Sequence, residues 1–285
     1  MDAGEAGVKP GGQESGGLYM KLRDLSIIQY QNISRRDHVY RLWLPLGAFR
    51  KQLEYFASGA FQILSLDAAV RYMRKELTRT EARPVALTFD NGYLDFYEEA
   101  FPLLVEHGFP GTLLVSPERV GKKITIEGHE VSYCTWEMLR EMADRNITIG
   151  AYEDGHWNIK RIPEDVVRRH IMEYKKRLED GIGIEIQYFG VKEGVPNGSI
   201  RDLIKSQGYK AFLTQCPTNR KPDLLSVGRI QVDDDDFNIF LTKVSRTYLF
   251  FKDKRSWKYI RKYHLDRVAH WVSENFDRIR GVKKH

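Results

Sequence analysis

Val85-Ala86-Leu87-Thr88-Phe89-Asp90-Asn91-Gly92-Tyr93 is the stretch on which the fold of this chain turns. Its first five residues form a short apolar run of the kind that makes a buried strand, and a polar break with glycine ends it. Asp90 directly follows that strand. The same type of run recurs at Ser26–Tyr30, Phe61–Leu64, Thr112–Val115, Ile147–Gly150, Gln187–Phe189, Ala211–Thr214 and Leu225–Ile230. Between these runs lie helical patterns at Leu46–Phe56, Leu66–Arg74, Leu94–His107, Trp136–Arg145, Glu164–Leu178 and Ser199–Gln207. Pro163 suits the first turn of the Glu164 helix, and Gly108 suits the stop after His107. Strand alternating with helix about seven times implies parallel strands, in a barrel or an open doubly wound sheet.

In either architecture the reactive side chains gather at the C-terminal ends of the strands. Asp90 meets that condition, as do Tyr30 and Gln31, Tyr152, and the Gly190–Gly194 run. These four strand ends are expected to share one pocket. Asp is also a common helix N-cap, and Asp90 could cap the Tyr93 segment; the pocket position is the preferred reading. Asp233–Asp236 looks at first like a cation cluster, but consecutive side chains diverge and a calcium loop alternates its ligands with glycine. Capping of a helix over Phe237–Val244 is the expected role.

Composition sets the outer bounds. At 285 residues, 42% hydrophobic and 12% aromatic, the chain can bury a sizeable core. Cys134 and Cys216 stand far apart, with neither metal-ligand spacing nor a disulfide framework. Residues 1–18 hold six glycines and no apolar signal-peptide core, and residues 1–19 read as a disordered leader. No apolar run approaches the ~18 residues of a membrane helix. A soluble, cytoplasmic protein is the expectation.

Charge is uneven along the chain. The overall net charge is +6, yet Phe251–His285 alone carries eleven Lys/Arg against four Asp/Glu. The body is therefore close to neutral, which argues against a nucleic-acid partner. In the tail Trp257, Ile260, His264, Val268, Trp271, Val272, Phe276 and Ile279 recur at helical spacing. Such a stripe usually packs on its host domain, and docking on an anionic membrane surface is the alternative. Residues 20–245 then form the barrel domain and residues 246–285 a basic amphipathic tail.

The run Thr88-Phe89-Asp90-Asn91-Gly92 resembles the first motif of the polysaccharide deacetylase family (NodB-homology, carbohydrate esterase 4), in which a strand ends in Thr-Phe-Asp-Asp-Gly. The resemblance extends in family order from Ile27-Ile28-Gln29-Tyr30 through Phe61–Asp67, Ala100–Leu104, Gly108–Thr112, Thr135–Leu139 and Ile149–Asn158 to Gly228-Arg229-Ile230. It covers roughly residues 25–245. The branch resembled carries its acid-bearing strand at the N-terminus, as exopolysaccharide N-deacetylases do. It implies a distorted (β/α)7 barrel.

The resemblance also implies a chemistry. In the family an Asp and two His, spaced His-x-x-x-His, hold a divalent metal, commonly zinc, that activates water and polarises the acyl carbonyl. A further Asp is the base and a separate His the acid. Carried onto this chain, the base position is Asp90 and the second ligand His is His156. The ligand Asp is replaced by Asn91, the first ligand His by Tyr152 and the acid by Gln31. Lys192 stands where the third motif has proline, and Arg229 keeps the family's arginine.

The expectation is a site without resident metal or cofactor, in which Asp90 holds the base position. Gln31, Asn91, Tyr152, His156, Lys192 and Arg229 would line a pocket for an N-acylated sugar. Tyr152 could simply fill the space of a lost histidine, and Lys192 with Glu193 could be an ordinary solvated pair. Two functional readings follow from this pattern. One is a deacetylase-like protein of surface-polysaccharide metabolism; the other is a carbohydrate-binding or scaffold protein without turnover.

Overall fold

The computed structural model describes residues 25–34, 43–77, 82–126, 128–215, 223–232 and 236–245, with the side chains of 126 and 154–158 excepted. The expected leader (residues 1–19) and basic tail (residues 246–285) lie outside the described residues.

The strands in chain order are β1 (Ser26–Tyr30), β2 (Asn32–Ser34), β3 (Trp43–Pro45), β4 (Phe61–Leu64), β5 (Arg83–Phe89), β6 (Gly111–Val115), β7 (Lys123–Ile126), β8 (His129–Ser132), β9 (Ile147–Asn158), β10 (Tyr188–Glu193), β11 (Ala211–Thr214), β12 (Val227–Gly228) and β13 (Ile230–Gln231). The α-helices are α1 (Leu46–Phe56), α2 (Leu66–Met73), α3 (Phe101–Glu106), α4 (Trp136–Asp144), α5 (Glu164–Ile182), α6 (Gly198–Ser206) and α7 (Phe237–Lys243).

The main sheet runs β12-β11-β10-β9-β6-β5-β1-β13, with β4 also paired to β5, and every pairing in it is parallel. Its two ends are halves of one segment. Leu213 pairs with Val227 at one end and Ile28 with Ile230 at the other, and only Arg229 lies between the halves. The sheet therefore closes on itself as a barrel of seven staves. The last stave is the Leu225–Ile230 run, broken at Arg229.

Strand alternation divides the side chains into two layers. Ile28, Tyr30, Val85, Leu87, Phe89, Leu113, Ile149, Phe189, Phe212 and Ile230 pack outward in the larger cluster with residues of α1, α3, α4, α5 and α6. Ile27, Ala86, Leu114, Tyr152, Tyr188, Leu213 and Val227 form the second cluster, the barrel interior. Leu66, Ala69, Val70 and Met73 of α2 join that interior cluster. Their neighbours Tyr188, Ala211 and Val227 are the first residues of their strands, so α2 plugs the N-terminal end. The opposite end is the mouth.

Leu114 is wedged between two glycines. A Cβ on Gly150 would lie 2.6 Å from Leu114 Cδ2, and one on Gly190 would lie 2.4 Å from Leu114 Cδ1. Neither strand could carry a side chain there without moving Leu114.

Local signals account for several helix ends. Ser65 Oγ accepts from Ala68 N at 3.2 Å, Asn197 Oδ1 from Ile200 N at 3.0 Å, and Asp236 Oδ1 from Asn238 N at 2.7 Å. α5 ends at Gly183 in the left-handed region (φ 83°). The pattern over Leu94–His107 is not one regular helix. Phe96–Ala100 forms a wider π turn before α3, which carries Pro102 in its first turn. Proline lacks the N–H of a regular ladder and its ring crowds the carbonyl four residues back, so the turn widens ahead of it.

Two small pairings lie outside the barrel: β2 with β3, and the β7–β8 hairpin, which turns at Gly128 (φ 86°). The strand at Ile147 continues past Gly150 to Asn158, but its pairing with β10 jumps from Glu153–Val191 to Asn158–Glu193. Residues 154–157 therefore bow out of register. Among the described residues no helix is long and apolar enough to cross a membrane.

Candidate functional site

Asp90 follows β5 at the mouth and is 1% exposed. Its backbone N–H donates to Tyr30 O at 3.0 Å, which carries the parallel ladder one residue past the strand. Alternation from Ala86 through Thr88 turns its carboxylate into the barrel, where three other staves reach it. Arg229 Nη1 donates to Oδ1 at 2.5 Å and Arg229 Nη2 to Oδ2 at 3.1 Å, the two-pronged fork that suits a carboxylate. Gln29 Nε2 of β1 donates to Oδ2 at 2.5 Å. Tyr152 of β9 supplies a fourth contact. Burial, and after it the Asp90 charge, pushes the Tyr152 phenol well above its ordinary value, with a hydrogen bond to Asp90 as a smaller cause.

Arg229 is held in turn. Its N–H donates to Thr214 O at 2.9 Å, and Nη2 also donates to Val191 O of β10 at 3.2 Å. It is among the largest fully buried side chains, and the ion pair with Asp90 is 0% exposed on both sides. Burying two charges is costly unless the fork geometry and further hydrogen bonds compensate. Here both are present. A carboxylate offers about four lone-pair sites, and two arginine nitrogens, one amide and one phenol occupy them.

Other polar atoms in this region are buried without partners: Gln29 Oε1, Arg229 Nε, Ser116 Oγ beyond β6, and Thr112 Oγ1 within it. Nearer the rim, Gln215 Nε2 donates to Gln231 Oε1 at 2.7 Å. The barrel thus runs from an apolar plug at α2 to a polar mouth.

Of the residues expected in one pocket, the structure brings Asp90, Tyr152 and Arg229 together. Gln31 is half-buried just after β1. Asn91 is half-buried in the turn after Asp90, in the left-handed region at φ 76°, a conformation that asparagine tolerates. Lys192 is half-buried on β10, on the strand face of Gly190, and its carbonyl accepts from Gln215 N at 3.2 Å. His156 belongs to β9, but its side chain lies outside the described residues.

Tyr30 departs from expectation. Its ring faces the outer layer, stacked on Phe89 at 5.1 Å, and its hydroxyl donates to Gln52 of α1 at 2.9 Å. Gln29, not singled out in the sequence, is the β1 residue that reaches Asp90. The signal for it is a glutamine at the same parity as Ile27, two residues before Gln31.

The zinc that the resemblance implies can be tested against these donors. Asn91 offers a neutral amide oxygen in place of a carboxylate. Tyr152 offers a buried phenol that holds its proton, and the Asp90 oxygens are already engaged. Among the described residues, no group of three His, Cys, Asp or Glu gathers as a metal site. Zinc sites draw on thiolate, imidazole and carboxylate. The described donors do not fit a resident divalent cation.

Comparison with known proteins bears on this site. The family model for polysaccharide deacetylase matches residues 78–212, which carry β5, Asp90 and Tyr152. Over 210 residues the chain is 23% identical to YxkH of Bacillus subtilis (strain 168), assigned by name to the polysaccharide deacetylases, covering 73% of this chain and 71% of the relative. Over 203 residues it is 24% identical to the poly-beta-1,6-N-acetyl-D-glucosamine N-deacetylase of Escherichia coli (strain K12), covering 59% of this chain and 30% of that relative.

Among solved structures, IcaB from Ammonifex degensii aligns with a TM-score of 0.66 at 22% identity, covering 79% of this chain and 96% of the other. The Streptococcus pyogenes deacetylase PplD in complex with acetate aligns at 0.61 and 18% identity, covering 74% and 93%. These likenesses show the shared barrel. With the motif order along the chain, the barrel of seven staves and the match over residues 78–212 in agreement, the chain is similar to the polysaccharide deacetylases in sequence and in fold.

Proposed function

We propose that this chain binds an N-acylated sugar of surface-polysaccharide biosynthesis in the barrel mouth, as a recognition protein in which the family's metal hydrolysis has given way to binding. The saturation of Asp90 carries the reading. A general base needs a lone pair facing the proton it removes, and the four acceptor sites of Asp90 are held by Arg229, Gln29 and Tyr152. The unpartnered Gln29 Oε1, Arg229 Nε and Ser116 Oγ support a polar guest. An N-acyl group brings one N–H donor and one carbonyl acceptor, which complement such atoms. The E. coli relative's name supports an N-acetylated glucosamine polymer as the class of ligand. The expected setting is the cytoplasm, where precursors of such polymers are assembled.

One observation favours a second reading. The Asp90–Arg229 pair is intact at the position that the resemblance gives to the base, which supports hydrolysis of the acyl bond without metal. Calorimetric titration with N-acetylglucosamine oligomers, run beside an acetate-release assay, separates the two. Binding without acetate release is the expected result. Chelator-resistant release that Asp90→Ala abolishes would move the assignment to the metal-free hydrolase, and metal-stimulated release would overturn the recognition reading. No binding at all would sink both.

The surplus of basic residues in 251–285 supports an additional peripheral contact with anionic membrane. Flotation with anionic liposomes should fall after deletion of those residues; unchanged flotation rules the contact out.

A further inference from the structure

Among the described residues, Asp90, Arg229 and Lys192 are the charged groups on the inner face of the staves at the mouth. Asp90 and Arg229 cancel in their buried fork. Lys192 is left over. Among the described residues, no carboxylate pairs with its ammonium and no carbonyl accepts from it. Glu193 follows directly, but strand alternation turns it to the outer side, where it is exposed.

A lone half-buried lysine is ordinarily only a solvated cation with its stem packed. The setting of Lys192 is more specific. It shares its strand face with Tyr188 of the interior cluster and with Gly190, which is paired to Tyr152. Lys192 therefore stands roughly 7 Å nearer the rim than the Gly190–Tyr152 level. Its backbone is fixed there, because Gln215 N donates to Lys192 O at 3.2 Å. Beside it, Gln215 Nε2 donates to Gln231 Oε1 at 2.7 Å, a bond that leaves the two amides with further N–H groups and one carbonyl. The resembled motif has proline at this position, so the cation is this chain's own departure from it.

We propose that Lys192 recognises an anionic substituent, a phosphate or a carboxylate, on the N-acylated sugar held in the mouth. The ligand class is then an acidic N-acylated sugar, either a glycosyl phosphate or a uronate. An ammonium only donates, so its partner is an acceptor. A neutral hydroxyl or acyl carbonyl also accepts, but it leaves the excess charge unmatched. An anionic group matches it, in a mouth where water screens less than at an open surface. Asp90 does not oppose such a group, since Arg229 already neutralises it. The free N–H groups of the glutamine pair can bond further oxygens of the same substituent. This rests on the reading that the mouth takes an N-acylated sugar, and it adds the charge that the sugar carries.

The experiment is calorimetric titration of the intact chain with N-acetylglucosamine, its 1-phosphate, its 6-uronate and glucose 1-phosphate. At least one of the two acidic N-acetylated sugars should bind about three- to tenfold more tightly than the neutral one. Whichever shows the gain identifies the source of the charge. The gain should shrink with added salt. In Lys192→Gln the acidic and neutral sugars should bind alike, while Lys192→Arg should keep most of the difference. Neither change removes a contact among the described residues, so both variants should match the parent in unfolding midpoint.

Equal affinity for the neutral sugar and both acidic ones overturns the proposal. So does a gain that survives Lys192→Gln, or inorganic phosphate competing as strongly as the sugar phosphate, which would mark a bare anion patch. The two readings fail separately. Glucose 1-phosphate binding as tightly as N-acetylglucosamine 1-phosphate, with both weakened in Lys192→Gln, would remove the N-acyl reading and leave the Lys192 site standing.

Discussion

Arg229 enters the barrel from the single residue separating β12 from β13 and grips Asp90 on the far side of β1, with Nη1–Oδ1 at 2.5 Å and neither side chain exposed. The residue that interrupts the closing stave is thus the one that neutralises the buried carboxylate. Its own N–H still donates to Thr214 O at 2.9 Å, and the alternation from Val227 turns its side chain inward. Closure of the barrel and neutralisation of its mouth depend on the same residue.

Removing one member of this pair strands a buried charge. Arg229→Met or Asp90→Leu alone should each cost about 3–5 kcal/mol, and the double substitution should cost much less than their sum. Urea unfolding of the four proteins checks it. Additive losses would mean that the pair is not coupled. Arg229→Lys should also be costly, because one ammonium cannot make the fork and still reach Val191 O.

The Leu114 wedge makes a packing prediction. Gly190→Ala places a methyl 2.4 Å from Leu114 Cδ1 and should destabilise by about 1–3 kcal/mol. In a Leu114→Ala background the same methyl enters vacated space. The penalty at position 190 should then largely vanish, and a penalty of unchanged size in both backgrounds would show that the clash is relieved elsewhere.

Alkaline stability should be governed by buried phenols. Burial raises the Tyr30, Tyr152, Tyr188 and Tyr209 hydroxyls above their ordinary value. In the unfolded chain these groups lose protons near pH 10, while the native state retains them, so the unfolded form binds fewer protons above that pH. Their contribution is intact below pH 10 and is lost as pH rises from there, with a slope of up to about 1.4 kcal/mol per pH unit for each tyrosine. Denaturation midpoints at pH 8 to 11, read beside tyrosinate absorbance, test this. Tyrosinate from these four appearing before unfolding would contradict it.

The barrel was legible because its staves are short apolar runs and most of its helices carry their own caps, as at Ser65, Asn197 and Asp236. What escaped was set by distant pairing. β2 and β3 are three residues each and exist only through one another, and β7–β8 is an exposed hairpin with little apolar signal. The break at Arg229 was hidden within an apolar run because both halves keep strand character and differ only in the neighbour they pair with. At the site, motif order placed Asp90, Tyr152 and Arg229, while Gln29 needed the barrel's interior parity to be known. The same parity sends Tyr30 outward, although it is the last residue of its strand.

Restoring the family's donors is the most direct test of which positions face one another. Asn91→Asp, Tyr152→His and Gln31→His together should create affinity for zinc, nickel or cobalt at one ion per chain, measured by competition against a chelator of known strength. Each substitution is locally tolerable. Asp, like Asn, accepts the left-handed backbone at position 91. Imidazole is smaller than the phenol packed against Gly190, where a Cβ would lie 3.4 Å from the Tyr152 ring. Gln31 is only half-buried. Tyr152→His also frees one lone pair of Asp90 and replaces a proton-holding phenol with a neutral nitrogen donor. Metal binding should therefore appear only when positions 91 and 152 change together, and Gln31→His should affect turnover more than affinity. If the triple variant folds, by its unfolding midpoint, and still binds no divalent metal, these positions do not converge on one point. The assignment of Asn91 and Tyr152 to the vacated ligand sites would then be wrong.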